Sequence, residues 1–278
     1  MAPSPPAATA PESAPDALDR PETVLEVRGL GQRYGAHQVL DDIDFTLRRG
    51  ELLATVGPNG AGKTTLFNCV TGVSRPRTGS VSVAGRDVTG LRPSAVVRAG
   101  VARTFQHLAL FETLTVRDNL LLGRRHAMRT GSLATTLRPL RARREEAASR
   151  AVVAALIERY GLREVADRTV ETLPHGVGKV VELARAVAME PAVLLLDEPV
   201  AGLNPEESAE FAGHLRALRE ERPELAILLI EHDMPLVLTL ADRVLVLNFG
   251  REVATGTPEQ IRQDPRVIDA YLGRRSAE

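Results

Sequence analysis

Leu52-Leu53-Ala54-Thr55-Val56-Gly57-Pro58-Asn59-Gly60-Ala61-Gly62-Lys63-Thr64 carries more structural information than any other stretch of this chain. Its first five residues form a run that reads as a buried strand. Gly57 to Thr64 then fits the phosphate-binding pattern G-x-x-x-x-G-K-[ST]. A strand that feeds a glycine-rich turn and then a helix leaves several backbone N–H groups facing one hollow. Such a hollow binds phosphate oxygens without side chains, and the helix N-terminus adds favourable partial charge. Lys63 is expected to reach the β- and γ-phosphates, and the Thr64 hydroxyl to ligate Mg²⁺.

Two kinds of strand flank this loop. Val24–Val27, Asp44–Leu47 and Ser80–Val83 alternate or nearly alternate, as antiparallel strands with one wet face do. Ala192–Leu196 and Ala226–Ile230 are continuously apolar, which suits a parallel sheet covered on both faces. Between roughly Leu91 and Leu173 the pattern turns helical. A run opened by Thr115 is expected to stop at Gly123, and an amphipathic segment from Arg144 to Tyr160 stops at Gly161. Near the end, Arg243–Leu247 and Arg251–Ala254 read as a hairpin around Asn248-Phe249-Gly250. Thr257-Pro258-Glu259-Gln260 reads as a capping box that opens a last helix toward Leu272. The expected fold class is α/β: a P-loop NTPase core with a mainly parallel sheet, an antiparallel β subdomain and an inserted α-helical subdomain. Its expected limits are a disordered Ala/Pro-rich tail over 1–22 and one domain over 23–273. Within that domain the helical subdomain covers about 91–190 and the C-terminal helix about 257–273.

Composition narrows the function. The 278 residues hold 35 basic and 36 acidic side chains, a net charge of −1, so no overall field selects nucleic acid or an anionic membrane. Aromatic residues make up only 3% and Trp is absent, which weakens any base-stacking platform. The single cysteine, Cys69, excludes an internal disulfide and reads as a small buried residue on the helix after the loop. No apolar stretch approaches the ~20 residues of a membrane span, and the N-terminus lacks the apolar core of a signal peptide. The seven arginines from Arg124 to Arg144, with no acid among them, read as a solvated loop or helix face.

A phosphate loop alone specifies binding. Leu194-Leu195-Leu196-Asp197-Glu198 supplies the rest: a buried strand delivers Asp197 beside the loop, where its charge can hold the Mg²⁺ shell. Glu198 points elsewhere and can accept a proton from an attacking water. His232 follows the strand ending at Ile230, on the same rim as Asp197, a location that favours a γ-phosphate contact. Gln106 follows the short strand Val101–Phe105, from which its amide can reach Mg²⁺ or the water. Asn204-Pro205-Glu206-Glu207 reads as a capped helix start without a functional requirement.

Taken together, these segments resemble the ATP-binding subunit of ABC transporters over about Val24 to Leu272. Within the resemblance Tyr34 matches the aromatic that stacks on adenine. Gly57 to Thr65, with Asn59, Gly60, Gly62, Lys63, Thr64 and Thr65, matches the Walker A loop, and Gln106 the Q-loop. Leu194 to Glu198 matches Walker B with its catalytic glutamate, Ala201 to Asn204 the D-loop, and His232 the switch histidine. Arg103-Thr104-Phe105-Gln106, the long helical insert, Glu198 to Pro205 and Asp264 to Gly273 look most like the importers for branched-chain amino acids. The family signature, commonly Leu-Ser-Gly-Gly-Gln, aligns with Leu173-Pro174-His175-Gly176-Val177, where Pro174 brings neither hydroxyl nor amide. His175 is therefore expected to replace the serine in part as a phosphate donor, with Gly176 retained beside it.

The resemblance implies an ATPase that binds ATP and Mg²⁺ and pairs head to tail with a second ATPase subunit, identical or paralogous. It also implies transmembrane permease partners and, indirectly, a solute-binding protein, with no nucleic acid. Location would be peripheral, on the cytoplasmic face of the membrane. Cargo would be branched-chain amino acids or a similar small polar solute. The alternatives are a weakly hydrolysing regulatory ATP-binding module, which Pro174 alone favours, and a related ABC system with other cargo. A single cassette without a long coiled coil or a basic arm argues against roles in translation or DNA repair.

Overall fold

The computed structural model describes residues 22–104, 110–125 and 139–272. The expected tail therefore lies outside the described residues except for Glu22, and so do Gln106 and most of the arginine-rich stretch.

Period-two alternation explains why the central strands read as uninterrupted apolar runs. In β3 (Leu52–Val56), β7 (Val193–Asp197) and β8 (Ala226–Ile230) every residue is buried. Leu52, Leu194, Leu196, Ile227 and Leu229 face one core, whereas Leu53, Val193, Leu195, Leu228 and Ile230 face the other. Strands sandwiched in this way can carry no polar face. With β6 (Val101–Arg103), β9 (Arg243–Asn248) and β10 (Arg251–Gly256) they form a six-stranded sheet ordered β10-β9-β3-β8-β7-β6. All neighbours pair parallel except β10, which closes a hairpin on β9. The second sheet, ordered β2-β1-β4-β5, is antiparallel: β1 (Thr23–Tyr34), β2 (His37–Arg48), β4 (Thr78–Val83) and β5 (Arg86–Asp87). Its buried face and the helix α1 (Lys63–Val70) close one core over the main sheet.

The opposite core is closed by helices. After α2 (Pro93–Arg98) and β6 come α3 (Val116–Arg124), α4 (Pro139–Arg159), α5 (His175–Ala188) and α6 (Pro205–Glu221). Leu120, Val153, Ile157, Val181, Leu183, Phe211 and Leu215 bury against the leucines of β7 and β8. Val101–Arg103, although it lies within the mainly helical stretch of sequence, pairs with β7 as the edge strand of the main sheet.

Two local expectations change. Gly123 does not end α3; the helix runs on through Arg124. A side chain at 123 would bring its first carbon 2.6 Å from the Arg185 carbonyl of α5, so this glycine serves close helix packing and not termination. The C-terminal segment is also not one helix. It divides into α8 (Pro258–Gln263) and α9 (Pro265–Leu272), because Pro265 cannot continue a helix and holds Asp264 extended. Between β8 and β9 lies α7 (Met234–Leu240).

The helix starts follow the capping chemistry in the sequence. Asn204 Oδ1 accepts from Glu207 N at 2.9 Å, and the Glu207 carboxylate accepts from Asn204 N at 2.9 Å. Thr257 and Gln260 make the same reciprocal pair at α8. Asn204→Ala removes the acceptor for a first-turn N–H and is expected to destabilise the chain by about 1 kcal/mol. Denaturant unfolding of the two proteins at equal slope checks this value.

Candidate nucleotide site

Parallel strands place everything that follows them on one rim of the sheet, and this places the phosphate loop, the Asp197-Glu198 pair and His232 together. β8 lies between β3 and β7, so the residues after β8 sit between the loop and the acids. A cavity of about 700 Å³ opens there, lined by Gly57 to Thr65 with Val39, Glu198 and His232. The loop is seated against the β9–β10 hairpin. A first side-chain carbon on Gly57 would lie 2.1 Å from the Leu247 carbonyl oxygen, so only glycine permits this approach. Gly250 N donates to Ala61 O at 3.1 Å, and Asp41 N to Gly250 O at 2.8 Å, which fixes the loop between β2 and the hairpin.

Lys63 is buried, and its Nζ donates to the loop carbonyls of Gly57 at 2.6 Å and Pro58 at 3.1 Å. Burial pushes its pKa below the ordinary lysine value, while the nearby charges of Glu198 and Asp197 act to raise it. Thr64 is exposed and Thr65 half-buried, both on the cavity wall. Asn59 and Gly60 are exposed at the tip of the loop, and Gly62 caps α1.

Asp197 is almost fully buried, and its Oδ2 accepts from an Arg103 guanidinium nitrogen at 2.7 Å. That guanidinium also donates to Asn68 Oδ1 at 2.7 Å and Thr71 Oγ1 at 3.3 Å, and stands 5.4 Å from the Phe67 ring centroid. The strand end that follows Arg103 contributes Thr104, whose hydroxyl oxygen accepts from Asp197 N at 3.3 Å. Glu198 adopts φ +46°, in the left-handed region that side-chain-bearing residues rarely occupy. Its amide donates to Ile230 O at 2.9 Å.

His232 is exposed, while its neighbour Glu231 is fully buried. The Glu231 carboxylate accepts from Val200 N at 3.3 Å, His232 N at 3.1 Å and Asp233 N at 3.4 Å. Burial pushes its pKa above the ordinary glutamate value, against the opposing pull of these three N–H groups.

Other expected contributors sit apart from the cavity wall. Tyr34 ends β1, is 50% exposed and shares a hydrogen bond between its hydroxyl and Ser74 Oγ at 3.1 Å. Pro174 is the N-cap of α5 and provides no side-chain cap. His175 opens α5, exposed, with Nε2 3.3 Å from the Ala201 carbonyl of the loop after Glu198. Gly176, next in the same turn, is buried beside Glu207. Gln106 lies outside the described residues.

Sequence reading gave no role to Arg103 or Glu231. The signal was present in each case. An arginine ends β6 and a glutamate directly follows β8, and a charge at the end of a buried strand requires a partner.

Comparison with known proteins now decides the family. Residues 40–201 match the ABC transporter family model, and residues 251–277 that of the branched-chain amino acid ATP-binding cassette transporter. The chain belongs to the ABC transporter ATP-binding family. It is 42% identical to the high-affinity branched-chain amino acid transport ATP-binding protein LivG of Salmonella typhimurium strain LT2, over 91% of this chain and 98% of that protein. BraF of Pseudomonas aeruginosa, of the same description, is 40% identical over 92% of this chain and 99% of the relative. Among solved structures, the ADP conformation of an ATP-binding cassette of an ABC transporter superposes with a TM-score of 0.78 at 27% identity. That match covers 90% of this chain and 99% of the other. This ABC ATPase thus has the α/β architecture expected from its sequence. Among its described residues no helix is long and apolar enough to cross a membrane.

The residues present suit a nucleotide with Mg²⁺. The phosphate loop borders an open cavity, with Thr64 on its wall and Asp197 buried behind it against Arg103, and both side chains offer oxygen ligands. Among the described residues no cluster of three or more His, Cys, Asp or Glu forms a self-sufficient metal cage. Mg²⁺ characteristically takes one or two protein groups together with substrate phosphates and waters, which agrees with so sparse a donor set.

Arg103→Met strands the buried Asp197 charge and is expected to cost about 3–5 kcal/mol of stability. Adding Asp197→Asn should recover part of that loss. A double-mutant cycle by denaturant unfolding measures the coupling.

Proposed function

We propose that this ATPase hydrolyses ATP with Glu198 as the general base, inside the cassette of an importer for branched-chain amino acids or a similar small polar solute. One observation carries the chemistry: Lys63, Glu198 and His232 line one cavity together with the rest of the phosphate loop. Glycine-loop amides and the Lys63 ammonium hold the β- and γ-phosphates. Lys63 then exchanges its present bonds to the Gly57 and Pro58 carbonyls for phosphate oxygens. Thr64 and Asp197, and Gln106 from the segment after β6, would hold Mg²⁺, which when bound neutralises charge that develops on the phosphates. Glu198 accepts a proton from the attacking water, and His232 donates to the γ-phosphate. Tyr34 flanks adenine.

Two such subunits, identical or paralogous, face each other head to tail, and the signature segment with His175 and Gly176 of one closes over the nucleotide of its partner. His175 donates to the γ-phosphate in place of a serine. Closure and reopening bias permease subunits between two states through their different affinities for bound nucleotide. An apolar groove of about 240 Å³ supports permease docking. It is lined by Thr71, Val97, Phe111, Leu122 and Met189, with Val73 and Phe111 exposed at its edges. It borders Arg103 at the end of β6. Location is peripheral, at the cytoplasmic face. The cargo assignment rests on the similarity to LivG and BraF, which the chain matches almost end to end.

Glu198→Gln is expected to retain ATP while hydrolysis falls by about 10²- to 10⁴-fold, the usual weight of a general base. Nucleotide retention, phosphate release and sedimentation of the variant check this, with a stable dimer expected in ATP. A rate near that of the unmutated protein removes Glu198 as base.

His175→Ala, in the chain assembled with its permease, should lower phosphate release by about a hundredfold or more, the weight of one donor to a transition-state oxyanion. An unchanged rate excludes the histidine as a donor and leaves it a packing role against Ala201.

A further inference from the structure

Two loops must hold still relative to one another if Glu198 and His232 are to act on the same phosphate. The backbone ladder between β7 and β8 ends with the Glu198 amide donating to Ile230 O at 2.9 Å. Beyond that bond the strands diverge into separate loops, one leading to α6 and the other to α7. Glu231 spans the gap. One of its carboxylate oxygens, Oε1, accepts from Val200 N, two residues past Glu198. The other, Oε2, accepts from His232 N and Asp233 N. Asp233 in turn caps α7, where its side chain accepts from Leu236 N at 3.0 Å.

The choice of an acid at this position is costly unless the charge is used, since a fully buried carboxylate loses its hydration. An ionised carboxylate is acceptor-only at both oxygens, which is what three converging N–H donors from two loops require. A glutamine of nearly the same shape has one acceptor and can serve one loop only. Its amide nitrogen would face the N–H groups of the other. Glu198 adds a second reason. Its left-handed backbone is strained, and such a conformation persists only where the surroundings hold it. Ala201 N donates to Glu198 O at 3.1 Å and closes the turn, and Glu231 holds the Val200 N–H inside that turn from the neighbouring loop.

We propose that Glu231 is a positioning residue that ties the Glu198 loop to the His232 loop, fixing the spacing between base and phosphate contact. This rests on the roles given above to Glu198 and His232. Glu231 does not itself meet the nucleotide; it acts through the two loops.

The test uses the full chain and three variants, Glu231→Gln, Glu231→Ala and, as a control on the base, Glu198→Gln. Phosphate release gives kcat and KM, a fluorescent ATP analogue with Mg²⁺ gives nucleotide affinity, and amide hydrogen exchange reads each loop. Glu231→Gln is expected to lower kcat roughly ten- to a hundredfold, the factor carried by a lost hydrogen bond to a charged group. KM and nucleotide affinity should stay within about threefold, since ground-state binding is not touched. Exchange should quicken in residues 199–203 or 231–235 for glutamine and in both for alanine, with residues 57–65 unchanged. Three results overturn the proposal: a Glu231→Gln kcat equal to that of the unmutated protein while Glu198→Gln is inactive, loss of nucleotide affinity in step with kcat, or faster exchange throughout the chain. Should Glu198→Gln remain fully active, the base assignment itself fails and takes this proposal with it.

Discussion

The phosphate loop holds its shape because its first glycine lies against the β9 backbone at a distance no side chain tolerates. With Gly57 pressed on the Leu247 carbonyl, the loop has little freedom to tilt, and Gly250 and Ala61 bond the hairpin to its far side. Everything else at the rim is placed relative to that contact. β8 and β9 flank β3 in parallel, so the residues after β8 reach the cavity, and β7 delivers its acids one strand further out. The antiparallel sheet then covers the loop-bearing core from outside, with Val39 on the cavity wall.

Charge is distributed economically around this frame. Lys63 and Asp197 are nearly buried, Glu231 is completely so, and Arg103 is close to it. None is isolated. Arg103 meets Asp197, Asn68 and Thr71 at once, which ties β6, β7 and α1 together by one guanidinium. Lys63 bonds the carbonyls of its own loop. Buried charges in such networks stabilise little compared with a well-packed apolar core, but they resist rearrangement because each removal leaves a partner uncompensated. A rim built this way favours a fixed geometry over maximal stability.

Much of this was legible in the sequence, for a physical reason. Strand residues that alternate between two cores must all be apolar, so β3, β7 and β8 announced themselves as runs. The loop, Asp197, Glu198 and His232 then followed from where those runs end. What escaped reading depended on contacts between distant segments. Gly123 has the form of a helix terminator, and only the approach of Arg185 from α5 shows that it is a packing glycine. Pro265 divides the segment expected to form one helix toward Leu272, since a proline cannot continue a helix. Arg103 and Glu231 each find partners on neighbouring strands or loops, and sequence spacing does not encode that geometry. Tyr34, assigned by resemblance to the adenine, ends β1 with its hydroxyl on Ser74 and is not among the residues that line the cavity.

Under the reading proposed above, the signature segment moves a side-chain task from position 174 to His175. Pro174 has the fixed backbone angle that suits a helix start but supplies no side-chain acceptor for the first-turn amides of α5. No side chain caps those amides, and the helix dipole favours an anion near them. His175 in the same turn is already held by the Ala201 carbonyl, on the loop that Glu198 begins. Under the reading proposed above, a phosphate brought by a facing subunit would complete the helix cap and bear on that loop through the imidazole. On that reading the proline leaves the helix dipole in place, and the side-chain contribution falls to His175, one residue onward.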